Sequence, residues 1–216
     1  MHRRRTALSV SAAAALLAGA PLLTGCGNEA HPGAAAVVDG DRISVSQVQS
    51  QTQAVRAAQR EDPQGDQLIQ RTGELSRYTL HNMIRLRVVE RAAEENGAEA
   101  SRREVQEYRA EQAQAVGGES GLRAQMLQER AVAPDQIDGT LRMDLLVLKI
   151  AEELGVELNS PDAGEVMNQQ FVETAEGMGI DISPRFGDWS NERVSLTEAE
   201  VPWLKESAPE PQQAAG

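Results

Sequence analysis

Leu80-His81-Asn82-Met83-Ile84-Arg85-Leu86-Arg87-Val88-Val89-Glu90-Arg91-Ala92-Ala93-Glu94-Glu95-Asn96-Gly97 is the stretch on which the fold turns. It reads as the second half of a long helix beginning near Asp66. Leu68, Thr72, Leu75, Thr79, Asn82, Leu86, Val89 and Ala93 follow a four-three spacing and so line one face. Leu80, Ile84 and Val88 add a second apolar row at four-residue spacing. Only a strip formed by Arg87, Glu90, Arg91 and Glu94 is left for water, so the helix should touch partners on more than one side. Asn96-Gly97 is a natural stop, because glycine enters the left-handed region without strain. Ser101-Arg102-Arg103-Glu104 then opens the next helix with a capping box.

The N-terminal end is different in kind. Arg3, Arg4 and Arg5 precede an Ala-rich apolar run from Ala7 to Leu23, which is short and small-residued for a membrane span. The run ends in Leu23-Thr24-Gly25-Cys26, which resembles the bacterial lipobox. That resemblance implies cleavage before Cys26 and lipidation of its thiol; the alternative is an ordinary secretory signal with an incidental cysteine. Cys26 is the only cysteine, so neither an internal disulfide nor a cysteine-based zinc site is possible. Removing residues 1–25 takes away three arginines and no acids. That leaves 18 Lys+Arg against 33 Asp+Glu, a formal charge of −15. Such a surface argues against nucleic acid as a partner, since lysine and arginine must replace phosphate counterions there. It argues equally against a polybasic membrane patch, so contact with the membrane should run through the lipid.

The expected organisation is a signal peptide over residues 1–25, a lipidated tether over 26–35, a helical domain over 36–205 and a disordered tail over 206–216. Ala34 to Ile43 reads as a strand, an Asp39-Gly40 turn and a second extended piece. Ser44 or Ser46 can cap a helix from Val45 to about Arg60, with Val48, Thr52 and Val55 as its modest apolar face. Helix breakers at Pro63 and Gly65 precede the central helix. The helix from Ser101 should bury Val105, Tyr108 and Ala115, and a shorter one from Ser120 to Arg130 should bury Leu122, Met126 and Leu127. A helix entered at Pro134 carries the stripe Ile137, Leu141, Leu145 and Leu148, with Leu146, Ile150 and Leu154 beside it. Ser160-Pro161-Asp162 signals another start, followed by the row Met167, Phe171, Ala175 and Met178. Ile180 to Trp189 reads as extended chain around a Ser-Pro turn, and Ser195 to Lys205 as one more helical turn.

A search for chemistry returns negatives. There is no dinucleotide-binding glycine pattern, no P-loop, no HExxH and no EF-hand loop. His81 is the only histidine in the expected domain, and a surface or interhelical role fits it better than catalysis or metal binding. Glu94-Glu95 and Glu152-Glu153 point in different directions on their helices, so they read as solvated faces rather than acid-base pairs. No catalytic residue, cofactor or metal ligand is expected. Met83, Met126, Met143, Met167 and Met178 suit either core gap-filling, the favoured reading, or adaptable binding of apolar segments.

The order of several segments resembles SurA- and PrsA-type secreted chaperones. Val37-Val38-Asp39-Gly40-Asp41-Arg42-Ile43-Ser44 looks like the strand and turn that open these proteins. Met83 to Gly97 resembles their L-I-x-x-x-L-L-x-x-x-A-x-x-x-G helix, and Ser101 to Val105 the S-x-x-E-V that follows. Gly121 to Leu154 resembles the next helix pair. Ser183-Pro184-Arg185-Phe186-Gly187-Asp188-Trp189 is similar to their C-terminal N-P-R-[YF]-G-x-W segment, with Ser183 in place of Asn. The likeness covers about residues 36–190.

The resemblance implies a mainly α fold: a helical chaperone domain with a small β element in which an N-terminal strand is joined by a C-terminal segment. It implies a non-enzymatic, ATP-independent holdase for unfolded or translocated polypeptides, and the lipobox resemblance implies a lipid anchor on the extracytoplasmic face of a bacterial cell membrane. Many relatives insert a parvulin prolyl-isomerase domain, for which residues 155–183 are too few, so no isomerase activity is expected. The alternatives are a lipoprotein scaffold or assembly factor with one dedicated partner and, more distantly, a prolyl isomerase. A holdase needs exposed apolar surface. Two rows are candidates for peptide binding: Leu80, Ile84 and Val88, and Leu146, Ile150 and Leu154. The competing reading packs the two rows on each other inside the core.

Overall fold

A computed structural model describes residues 33–197. Cys26 with its lipobox, the rest of the segment leading to Lys205 and the expected tail over 206–216 lie outside the described residues. The fold is mainly helical, with short antiparallel strands that join the two ends of the domain.

Strand β1 (Ala34–Val38) turns at Asp39 and Gly40 into β2 (Asp41–Ser44). Both turn residues have positive φ, 52° and 79°, which is the twist that a two-residue hairpin requires. The pairing is Val38 with Asp41, Val37 with Arg42 and Ala36 with Ile43, with a bulge before Ala34 meets Ser44. β1 starts at Ala34, inside the expected tether. Its other edge receives β3 (Ile180–Ile182) antiparallel, Ala36 opposite Ile182 and Val38 opposite Ile180. The sheet order is β2-β1-β3. A short strand at the beginning of the chain is thus completed by one from near its end, as the resemblance implies.

Ser44 caps α1 (Val45–Glu61) in a capping box with Gln47. The central helix departs from its expected start. It is interrupted, giving α2 (Gly65–Arg71) and α3 (Leu75–Asn96) with Thr72, Gly73 and Glu74 between them. Gly73 is a poor helix former, and an arginine of α1 stabilises the break. Arg56 donates from Nη2 to the Thr72 carbonyl at 2.6 Å and from Nη1 to the Thr72 hydroxyl at 2.7 Å and to Gln59 Oε1 at 2.8 Å. Gln59 is fully buried and donates from Nε2 to the same hydroxyl at 3.2 Å. These tertiary hydrogen bonds satisfy the groups that an interrupted helix leaves open.

α3 ends at Gly97 with φ 71°. The Ala98 N–H donates to the Ala93 carbonyl at 2.8 Å and the Gly97 N–H to the Glu94 carbonyl at 3.3 Å, the paired bonds of a Schellman closure. α4 (Arg102–Ala115) starts on the Ser101/Glu104 capping box, followed by α5 (Glu119–Arg130). A 3₁₀ turn at Pro134–Gln136 leads into α6 (Ile137–Glu153). α7 (Ala163–Met178) follows, beginning at Ala163 rather than at the Ser160-Pro161 signal, which forms a turn before it.

α3 packs against α1, α6, α7 and β1. Its row Leu80, Ile84 and Val88 joins Val38, Ile43, Ala175 and Met178 in one apolar cluster under the sheet. Val89, Ala92 and Ala93, on the neighbouring face, join Leu146, Ile150 and Met167 in a second. Two further clusters fill the space between α4, α5 and α6, and between α1, α2 and the end of α5. Ion pairs fasten the helices outside the apolar layer. Lys149 meets Glu104 at 2.5 Å, Arg130 meets Asp144 at 2.5 Å, and Arg142 pairs with Glu90.

Two expected helix faces and one expected element are corrected. Leu148 is exposed, because Met143, Leu146 and Ile150 instead face the core of α6. Ala115 is exposed and Ala113 is buried in its place, while Val105 is buried and Tyr108 half-buried on the expected face. Ser195 to Thr197 is a strand rather than a helical turn. After the 3₁₀ turn Pro184–Phe186, β4 (Asp188–Ser190) pairs antiparallel with β5 (Ser195–Thr197).

Candidate functional site

Five of the six residues of the two candidate rows lie in the core. Leu80, Ile84, Val88 and Ile150 are 0 % exposed and Leu146 is 1 % exposed, and Leu154 is half-buried. Neither row forms an open groove in this conformation, though Val88 borders a small cleft, and the two rows lie in separate clusters. The first faces the sheet and the end of α7; the second faces α3 and the start of α7. The reason lies in strand pairing. β1 and β3 close over α3 only after a C-terminal segment has folded back, so the second apolar row acquires a partner that helix periodicity does not reveal.

Among the described residues, two clefts bear on the site. The larger, of about 360 Å³, lies between the α2–α3 junction and the C-terminal end of α5. Leu75, Tyr78 and Ala131 supply its apolar lining, and Arg71, Glu74, Glu129 and Arg130 its polar rim. Val55, Leu68, Leu127 and Ala133 pack around Leu75 beneath it. Tyr78 is 41 % exposed, a large aromatic left partly in water. Arg130 is fixed by two bonds to Asp144, at 2.5 and 3.0 Å, and this pairing raises its proton affinity against the cost of burial. Ala131 ends α5 in the left-handed region at φ 50°, a conformation usually left to glycine, and so turns the chain away and leaves the mouth open.

An exposed aromatic beside apolar walls, with both signs of charge at the rim, suits an apolar side chain on an extended segment. The ring supplies contact area at small entropic cost, and the rim groups hydrogen-bond to a backbone. The sequence reading missed this site. Tyr78 lies off both apolar rows of α3, which is the signal that marks it; the left-handed Ala131 carries none.

The second cleft, of about 200 Å³, lies where α3, α7 and the β4–β5 hairpin meet. His81 braces the hairpin there. It accepts a hydrogen bond at Nδ1 from the Leu196 N–H at 3.5 Å, so the neutral ring carries its proton on Nε2. Its ring lies 6.3 Å from that of Trp189. Burial, and secondarily the neighbouring Arg85 charge, lower its proton affinity. His81 thus stands on α3 against the β4–β5 hairpin. Among the described residues, no three His, Cys, Asp or Glu side chains converge as a metal-binding group. No helix among them is long and apolar enough to cross a membrane.

The family model described as SurA-like N-terminal domain matches residues 1–151. The match runs from the start of the chain into α6 and leaves α7 and the C-terminal strands beyond it. No curated protein and no solved structure matches the chain.

Proposed function

The chain belongs to the SurA-like N-terminal domain family, and on that premise we propose that it is an ATP-independent holdase for unfolded or translocated polypeptides. The family is of the chaperone type, and its domain is non-catalytic in kind. Family membership is the observation that carries the reading. The cleft at Tyr78 supports it, because it offers apolar contact without demanding a particular sequence. The net charge of −12 keeps a protein with exposed apolar surface soluble and favours neutral or basic clients.

The lipobox-like Leu23-Thr24-Gly25-Cys26 supports a lipid anchor at Cys26 and a place on the extracytoplasmic face of the cell membrane. The residues between Gly155 and Ser183 form α7 and β3, which supports the absence of prolyl-isomerase activity.

The test uses a chain starting at Gly27, which retains every described residue. Light scattering from a chemically unfolded, unrelated protein is followed with and without it. Concentration-dependent suppression at near-equimolar amounts is expected. No suppression by a sample shown folded by circular dichroism would overturn the general holdase and leave the dedicated-partner scaffold.

A further inference from the structure

The smaller cleft is a local exception to the charge of the molecule. The chain carries 33 acidic residues against 21 Lys+Arg, yet no Asp or Glu lines this cleft. Arg85 and Arg193 both line this cleft. Neither forms an ion pair among the described residues. Asn168 of α7 adds a neutral donor, and Phe171 and Val194 add apolar wall.

The turn that carries Arg193 is built rather than loose. Val194 is β-branched yet sits at φ 46°, a region such residues rarely enter. The Val194 N–H donates to the Asn191 carbonyl at 3.0 Å, and Trp189 Nε1 donates to Asn191 Oδ1 at 2.7 Å. Gathering like charges around a cleft is unfavourable until an anion enters it. Arg85 is the second cause, after burial, of the lowered proton affinity of His81.

We propose that this cleft binds a carboxylate on a polypeptide segment, an acidic side chain flanked by an apolar one, with Arg85 and Arg193 as the clamp and Phe171 as the wall. Guanidinium groups match a carboxylate in geometry as well as charge. At about 200 Å³ the cleft has room for a short side chain rather than for a folded surface. The acidic remainder of the molecule repels a broad anionic membrane, whereas a single carboxylate on a flexible chain can enter. The two clefts share no lining residue, so this assignment stands apart from the holdase reading.

Trp189 reports on the site. The chain has two tryptophans, so the Trp203→Phe variant of the chain starting at Gly27 isolates its fluorescence. The probes are a blocked Ala-Phe-Glu-Leu-Ala peptide and its Gln counterpart, followed by fluorescence and by titration calorimetry. The Glu peptide should bind saturably, and the Gln peptide at least about tenfold more weakly, as loss of a charge-assisted hydrogen bond implies. Arg193→Gln, checked for folding by circular dichroism, should weaken the Glu peptide by a similar factor and leave the Gln peptide unchanged. Equal affinities, no saturable signal by either method, or a response to phosphatidylglycerol vesicles or inorganic phosphate without one to the Glu peptide would each overturn the proposal. A chain that binds the Glu peptide but fails to suppress aggregation would overturn only the holdase reading.

Discussion

Ile84→Ala separates a core role from a client-binding role. Ile84 is 0 % exposed and packs among Val38, Ile43, Leu80, Val88 and Ala175. Truncation removes roughly three methylene equivalents at about 0.8 kcal/mol each, and the cavity raises the total to about 3–4 kcal/mol. Against a domain stability on the order of 5–15 kcal/mol, the variant should still fold at 25 °C. With a urea dependence of about 2 kcal/mol/M, its unfolding midpoint should fall by about 1.5–2 M. Tyr78→Ala removes a ring that is 41 % exposed and should cost at most about 1–2 kcal/mol. The aggregation assay should order the two variants the other way. Ile84→Ala should suppress scattering almost as well as the parent below its unfolding transition, and Tyr78→Ala should suppress it less. An Ile84→Ala protein with an unmoved midpoint and lost suppression would refute the reasoning, because the row would then line an open groove.

Three further outcomes follow from the geometry. Arg56→Met should cost about 2–3 kcal/mol by urea unfolding, since charged hydrogen bonds to Thr72 are lost beside buried Gln59; amide exchange should rise most over Gly65–Thr72. Gly187→Ala should unseat the β4–β5 hairpin, because Gly187 has φ 114° and an added Cβ would lie 2.1 Å from the Thr197 carbonyl oxygen; a red shift and loss of near-ultraviolet ellipticity from Trp189 would show it. The carboxyl of Glu104 is lowered from 4.5 to about 2, first by its hydrogen bond with Lys149 and then by those from Ser101. A depressed carboxyl contributes stability that is complete above the unfolded value and lost as pH falls through the folded one. Stability measured from pH 5 to pH 2 should therefore decline less steeply in Glu104→Gln than in the parent.

Much of the fold was legible because its signals are local. The hairpin at Asp39-Gly40, the capping boxes at Ser44 and Ser101 and the glycine stop at Gly97 each depend on the conformational preference of a few adjacent residues. The motif Ser183 to Trp189 also has a local sense. Gly187 supplies the backbone that brings β4 against β5, and Phe186 enters the cluster under the sheet. Where the reading failed, the deciding partner was distant in sequence. The break in the helix expected from Asp66 is held by an arginine of α1, and on α6 it is Leu146 and Ile150, not Leu148, that meet α3.

The candidate site shows the same division. The sequence alone determined a helical chain with two apolar rows on α3, a single cysteine and an acidic composition, because composition, periodicity and capping need only neighbouring residues. Whether those rows face water was decided by tertiary structure alone. β3 lies more than a hundred residues from β1, and its pairing there places Ala36, Val38 and Ile182 over Leu80, Ile84 and Val88. Burial is a property of what comes to lie opposite a residue, and the spacing of that residue in the chain carries no record of it.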